Sequence, residues 1–155
     1  MKKKIAHRGN VYGPNLYEEN SILAISHSIS LGYDVEIDIR LINNKLILGH
    51  DEPKNEVDFN FISSFSDNLW FHCKNYEALN VLVPLGFNCF FHTDDEYVMT
   101  SNGYIFTRPG GEIGNNSVMV MPEMVDCYTK EDLAICYAVC SDYVGNIDRV
   151  IGGKE

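Results

Sequence analysis

The residues best equipped for chemistry occur in short clusters: His7-Arg8, Glu36-Ile37-Asp38, His50-Asp51, His72-Cys73-Lys74 and His92. Glu36 and Asp38 are two apart, so on a strand their side chains point the same way. Two carboxylates on one inward face repel unless a cation neutralises them, and a hard divalent ion such as Mg²⁺ or Ca²⁺ is the natural guest. His7 and His50 beside Arg8 supply a general base, a general acid and an anion clamp, the parts that phosphate chemistry needs.

Something must bring these clusters together, and the apolar runs that precede them indicate what. Lys4-Ile5-Ala6 runs into His7, and Tyr33-Asp34-Val35 leads to Glu36 and Asp38. Leu46-Ile47-Leu48 precedes His50, Leu69-Trp70-Phe71 precedes His72, and Cys89-Phe90-Phe91 precedes His92. Tyr104-Ile105-Phe106, Val118 to Met121 and Tyr137 to Cys140 complete about eight strand candidates. Near-continuous apolar strands suit a parallel sheet covered on both faces. Helix signals fill three gaps: Asn20-Ser21 before Ile22, Ile25 and Ile29, with Gly32 beyond; Asn75 before Glu77 to Leu85, with Gly86 beyond; and Thr129 before Glu131 to Tyr137. Residues 39–45 and 108–117 leave little room for a crossover helix, and Asn43-Asn44 serves equally well as a hairpin turn. Eight parallel strands closed into one barrel would set every polar cluster on one rim, at the C-terminal strand ends.

In order and spacing, His7-Arg8-Gly9, Glu19-Asn20-Ser21, Glu36-Ile37-Asp38 and His50-Asp51 resemble the glycerophosphodiester phosphodiesterase family, whose sequences read H-R-G, E-N-T, E-x-D and H-D. The resemblance is strong over residues 4–53 and continues in rhythm to Asp142. It implies an α/β fold, a TIM (β/α)8 barrel here reduced by several outer helices, over a single domain of residues 1–155. It implies a metal-dependent hydrolase of small glycerophosphodiester-like or headgroup substrates. His7 and His50 would be the acid/base pair, Arg8 would hold phosphate, and Glu36 and Asp38 would bind the metal. Glu19 would be a further metal ligand or a partner of the histidines. One histidine activates a neighbouring hydroxyl, which displaces the alcohol to give a cyclic phosphate; the other protonates the leaving oxygen, and water opens the ring.

One departure stands out. The family's fourth strand usually ends E-x-K, and here it reads His72-Cys73-Lys74, retaining the lysine near phosphate and losing the carboxylate. An imidazole ligand suits Mn²⁺ or Zn²⁺ better than Ca²⁺. That loss keeps two alternatives open: a non-catalytic phosphate- or polyol-binding barrel, and a lyase that stops at the cyclic phosphate. Asn20, Asp51, His92, Glu123 and Asp142 are further pocket candidates. His27 reads as a solvent-facing helix position, Asp94-Asp95-Glu96 as a hydrated turn, and Trp70, Phe71, Phe90, Phe91 and Phe106 as core.

Twelve Lys and Arg against twenty-two Asp and Glu give a net charge of −10, a field that repels nucleic acid and anionic membranes. No apolar run approaches the ~20 residues of a membrane span, and the basic start Lys2-Lys3-Lys4 lacks the apolar stretch of an export signal. Five cysteines without a C-x-x-C pair fit reduced thiols and a cytoplasmic setting. At 155 residues the chain falls short of the roughly 200 that a barrel usually needs. Missing outer helices would leave apolar strand faces for a second copy to cover, and hairpins in place of crossovers would give a partly open sheet with the same site.

Overall fold

The computed structural model describes residues 2–152. The chain runs β1 (Lys3–His7), α1 (Ile22–Ser30), β2 (Asp34–Ile42), β3 (Lys45–Leu48), β4 (Asn55–Val57), α2 (Phe59–Ser64), β5 (Leu69–Cys73) and α3 (Tyr76–Leu82). It continues through β6 (Cys89–Phe90), β7 (Tyr97–Met99), β8 (Ile105–Thr107), β9 (Ser117–Val120), α4 (Lys130–Ile135), β10 (Ala138–Ser141) and α5 (Ile147–Gly152). All ten strands belong to one curled, mixed sheet, so the chain is α/β.

Parallel pairing joins the strands in the order β6-β5-β2-β1-β10-β9-β8. Seven of the eight apolar runs are therefore parallel, and the eighth corrects the expectation: β3 returns antiparallel along β2. Asn43 and Asn44, at φ +50° and +63°, make the two-residue turn, a geometry that asparagine tolerates better than most residues. Two further strands had no counterpart among the eight runs: β4 adds antiparallel to β3, and β7 adds antiparallel to β8. A closed barrel of eight parallel strands is thus not what the pairing gives.

The helices form where the sequence caps them. Ser21 accepts from the Ala24 N–H at 3.1 Å, Asn75 caps α3 through Ala78, and Thr129 and Asp132 cap each other's backbone at α4. Gly86, at φ +84°, ends the short 3₁₀ turn that follows α3.

Alternation along each strand divides the core. Val35, Ile37 and Ile39 of β2, with Phe71 and Cys73 of β5, pack outward with Ile25 of α1, Ile62 of α2, and Ala78 and Leu82 of α3. The inward set is Ile5, Trp70, Phe90, Val98, Phe106, Val118, Ala138 and Cys140. Phe90 of β6 and Phe106 of β8 meet across the curl with ring centroids 4.3 Å apart, and Trp70 of β5 lies 5.7 Å from Phe106. On the far side, Met119 and Val139 are buried with Ile147 and Ile151 of α5. The outward faces of β2, β5, β9 and β10 are thus covered by helices, while Phe91 after β6 and Met99 of β7 are exposed. Among the described residues, no helix is long and apolar enough to cross a membrane.

Candidate active site

The same alternation that buries the inward core delivers the site. Two residues beyond an inward apolar side chain, five strands present a polar one: Ile5 leads to His7, Trp70 to His72, Phe90 to His92, Phe106 to Arg108 and Cys140 to Asp142. On β2, Glu36 and Asp38 take the inward parity opposite Val35, Ile37 and Ile39. His7, Arg8, Glu36, Asp38, His50, His72, Lys74, His92 and Arg108 line one cavity of about 360 Å³ floored by Phe90, Phe106 and Cys140.

His50 reaches this cavity by a route that the hairpin explains. β2 projects beyond the rim, β3 brings the chain back beside Ile39, and the Gly49 N–H donates to the Asp38 carbonyl at 3.1 Å. Arg40 fastens the return, donating to the carbonyls of Gly49 and His50 at 2.7 and 3.0 Å. Gly49 has φ +144°, and a Cβ there would collide with the Glu52 carbonyl oxygen. Asp51 lies 2.8 Å from His50 Nδ1 with its own side chain in solvent, so it contacts the histidine without lining the cavity.

His7 is held by Asp142, with Nδ1 to Oδ1 at 2.8 Å, leaving Nε2 to face Glu36 at 3.9 Å. Asp142 is fixed in turn: Asn10 donates to its Oδ1 at 2.9 Å, and Glu123 accepts from its backbone N–H at 3.0 Å and from the Ser141 hydroxyl at 2.8 Å. Glu123 and Asp142 therefore act behind His7 and do not line the cavity. Burial opposes charge on His7, but the Asp142 hydrogen bond and the carboxylates of Glu36 and Asp142 outweigh it, and its pKa is raised above 6.5. The Asp142 carboxyl is lowered: burial opposes its charge, and His7, Asn10 and Arg8 override that.

Arg8 follows β1 with φ +54°, an uncommon conformation for a non-glycine residue, which lets its N–H donate to Glu36 Oε2 at 3.2 Å. Its guanidinium pairs with Glu19 at 3.1 Å and with Asp38 at 3.2 Å. Glu19 accepts from Arg8 and from Asn10, at 3.1 and 3.3 Å, so it reaches the site through these partners. Asn20 exchanges two hydrogen bonds with Asp38, both at 2.9 Å, one to the carboxylate and one from the backbone N–H. It buttresses Asp38 and does not line the cavity.

Glu36, Asp38 and His72 form the one metal-suited cluster among the described residues, each offering a ligand atom within 4.8 Å of the others. His72 Nδ1 is 2.9 Å from Asp38 Oδ1 and 3.8 Å from Glu36 Oε1, separations that ligands of one ion can share. Asp38 Oδ1 is buried with no donor aligned on it, and His72 Nε2 is buried without a partner. Burial and the neighbouring Asp38 push the Glu36 carboxyl up to about 7. Asp38 is held well below the usual carboxylate range: burial opposes its charge, and His72, Asn20 and Arg8 prevail. Burial lowers His72 despite Asp38, which keeps its imidazole neutral and able to bind a metal. The donor set of two carboxylates and one imidazole fits a divalent ion, with Mn²⁺ or Zn²⁺ favoured over Ca²⁺.

His92 lies parallel to His72 at 4.6 Å between ring centroids, and Lys74 Nζ is 3.7 Å from Asp38 Oδ1. His27 is exposed on α1, away from this cavity. Sequence reasoning passed over Asn10 and Arg40, and it placed Arg108 at a strand end without giving it a role. The two-residue step from Phe106 accounts for Arg108 at the rim, whereas Asn10 and Arg40 act through loop contacts that no local spacing encodes. No protein-family model, curated protein or solved structure matches this chain.

Proposed function

We propose that this protein is a metal-assisted phosphodiesterase for small glycerophosphodiester-like substrates, with His7 and His50 as its acid/base pair. The observation that carries the reading is that both histidines line the same cavity as the Glu36–Asp38–His72 cluster, with His7 oriented by Asp142. A divalent ion on that cluster would screen the two carboxylates and polarise a phosphoryl oxygen. Lys74, and Arg8 between its two carboxylates, set positive charge beside the phosphate. His7 Nε2, free of the Asp142 contact, takes the proton of the substrate hydroxyl next to phosphorus. That oxygen displaces the alcohol to form a cyclic phosphate, His50 protonates the leaving oxygen, and water then opens the ring.

In the same reading, the curled sheet is a pared-down (β/α)8 barrel. The Ser101 N–H donates to the Cys89 carbonyl at 2.7 Å, which supports closure between β6 and the end of β7. The free cysteines 73, 89, 127, 136 and 140 support a reducing, cytoplasmic setting. One observation favours the non-catalytic alternative: the Arg8 guanidinium, 3.2 Å from Asp38, already offsets its charge from within the chain.

The test is phosphorus NMR of a glycerophosphodiester panel with Mg²⁺, Mn²⁺, Zn²⁺ or Ca²⁺. Turnover that falls about 10²-fold or more in His7→Ala and in His50→Ala is expected. A cyclic phosphate that persists assigns the lyase, and absence of product with every ion assigns the binding module.

A further inference from the structure

The end of the sheet opposite the candidate active site holds another cavity, of about 510 Å³, a size common among small-molecule sites. It is lined where parallel strands begin. Lys3, Asp34 and Leu69 open β1, β2 and β5, while Asn88, Tyr104 and Tyr137 immediately precede or nearly precede β6, β8 and β10. Lys3 and His7 are the two ends of β1, so at about 3.3 Å per residue their Cα atoms stand roughly 13 Å apart. The two cavities share no lining residue.

Charge in this lining is already paired or in solvent. The buried carboxylate, Asp34, is held by Lys3 at 2.7 Å, by the Trp70 indole N–H at 2.8 Å and by the Asn68 amide at 3.3 Å. The other carboxylate, Asp67, is exposed. An ionic ligand of either sign therefore finds no buried partner waiting for it. Neutral polar groups do lack partners: among the described residues, Asn88 Oδ1 and Ser63 Oγ are both buried without one, and Asn88 is only 8% exposed. Both residues line the cavity, Ser63 from α2 and Asn88 from the entry to β6. Buried polar oxygens ordinarily find a hydrogen-bond partner.

Much of the remaining wall is aromatic. The Tyr104 and Tyr137 rings stack with centroids 4.2 Å apart, and Trp70 lies 5.2 Å from Tyr104. A wholly apolar ligand would suit these rings and leave both oxygens unpaired. A sugar ring meets both demands: its C–H face packs on aromatic carbon, and its hydroxyls donate to an amide oxygen and exchange hydrogen bonds with a serine.

We propose that this cavity is a second binding site, for a neutral sugar of one or two rings, held by Asn88 and Ser63 against the wall of Trp70, Tyr104 and Tyr137. Trp70 is the one tryptophan of the chain, so its fluorescence reports occupancy. The test titrates the full protein with glucose, galactose, mannose, N-acetylglucosamine, maltose and cellobiose, with glucose 6-phosphate and glucosamine as charged counterparts, and confirms contact by saturation-transfer NMR. At least one neutral sugar is expected to bind with a Kd below about 1 mM. Asn88→Leu, which removes the amide at similar volume, should weaken that sugar about tenfold or more, and Ser63→Ala about threefold or more, while His7→Ala leaves it unchanged. Should Asn88→Leu fail to fold, Ser63→Ala decides alone. Absence of saturable binding across the panel, or a Kd that the folded variants at Asn88 and Ser63 leave unmoved, overturns the proposal. So does a charged derivative that binds more tightly than glucose, or binding lost in His7→Ala, which would place the sugar in the other cavity.

Discussion

Replacing Asp142 by Asn removes one charge while keeping a side chain of the same shape against His7. The contact to His7 Nδ1 is 2.8 Å, and the histidine side chain is 17% exposed, so solvent screens the pair only weakly. A hydrogen bond to a charged group contributes about 1.5–3 kcal/mol, and at 1.36 kcal/mol per unit its loss lowers the His7 pKa by roughly one to two units. Burial and Arg8, which already oppose the imidazolium, then face only the Glu36 carboxylate, and the His7 pKa falls. Stability follows. A histidine raised in the fold stabilises it fully below the unfolded pKa and loses that contribution as pH rises through the folded one, while Asp142 must be ionised for the pair to form. The variant is therefore least stable relative to the unaltered protein between about pH 4 and 6.5, and the deficit shrinks above that window. Heteronuclear NMR titration of the His7 ring nitrogens measures the shift without any substrate. A His7 pKa that moves by less than about 0.3 unit would refute the reasoning, because at 1.36 kcal/mol per unit the contact would then contribute almost nothing.

Other consequences are as direct. Because Glu36 is raised from 4.5 to about 7, the metal-free fold holds its proton where the unfolded chain has lost it. Stability then falls as pH rises from 4.5 to 7, as measured by urea unfolding at stepped pH; Glu36→Gln flattens that segment, and an unchanged slope contradicts the assignment. Arg40→Gln frees the Gly49–His50 carbonyls and is expected to lower kcat about tenfold with little change in KM, with partial rescue by Arg40→Lys. Gly49→Ala forces a Cβ toward the Glu52 carbonyl and is expected to cost about 1–3 kcal/mol in thermal unfolding; an unaltered Tm rejects the tight turn.

The clusters at apolar run ends meet in one cavity because strand parity is local: Ile5 and His7, or Trp70 and His72, need only a period of two to share a face. The short 39–45 link was equally readable as a tension, and the structure resolves it as the Asn43-Asn44 hairpin. What local patterning could not supply was pairing partners. The three-residue strands β4 and β7 are defined by their neighbours rather than by their own composition, and α5 gains its identity by covering Met119 and Val139. Likewise, Glu19 and Asp142 carry the residue types of ligands, yet Arg8 and His7 claim them through contacts 11 and 135 residues away in sequence. Such long-range competition between a cation and an adjacent acid is invisible in spacing.

The central claim is that Glu36, Asp38 and His72 hold one ion facing His7 and His50. Anomalous diffraction from crystals soaked in Mn²⁺ or Zn²⁺ tests it most directly. A single peak about 2.0–2.3 Å from a Glu36 oxygen, an Asp38 oxygen and a His72 nitrogen is the predicted result. A peak elsewhere, or no peak with the 2.9 Å contact between His72 and Asp38 unbroken, would contradict it.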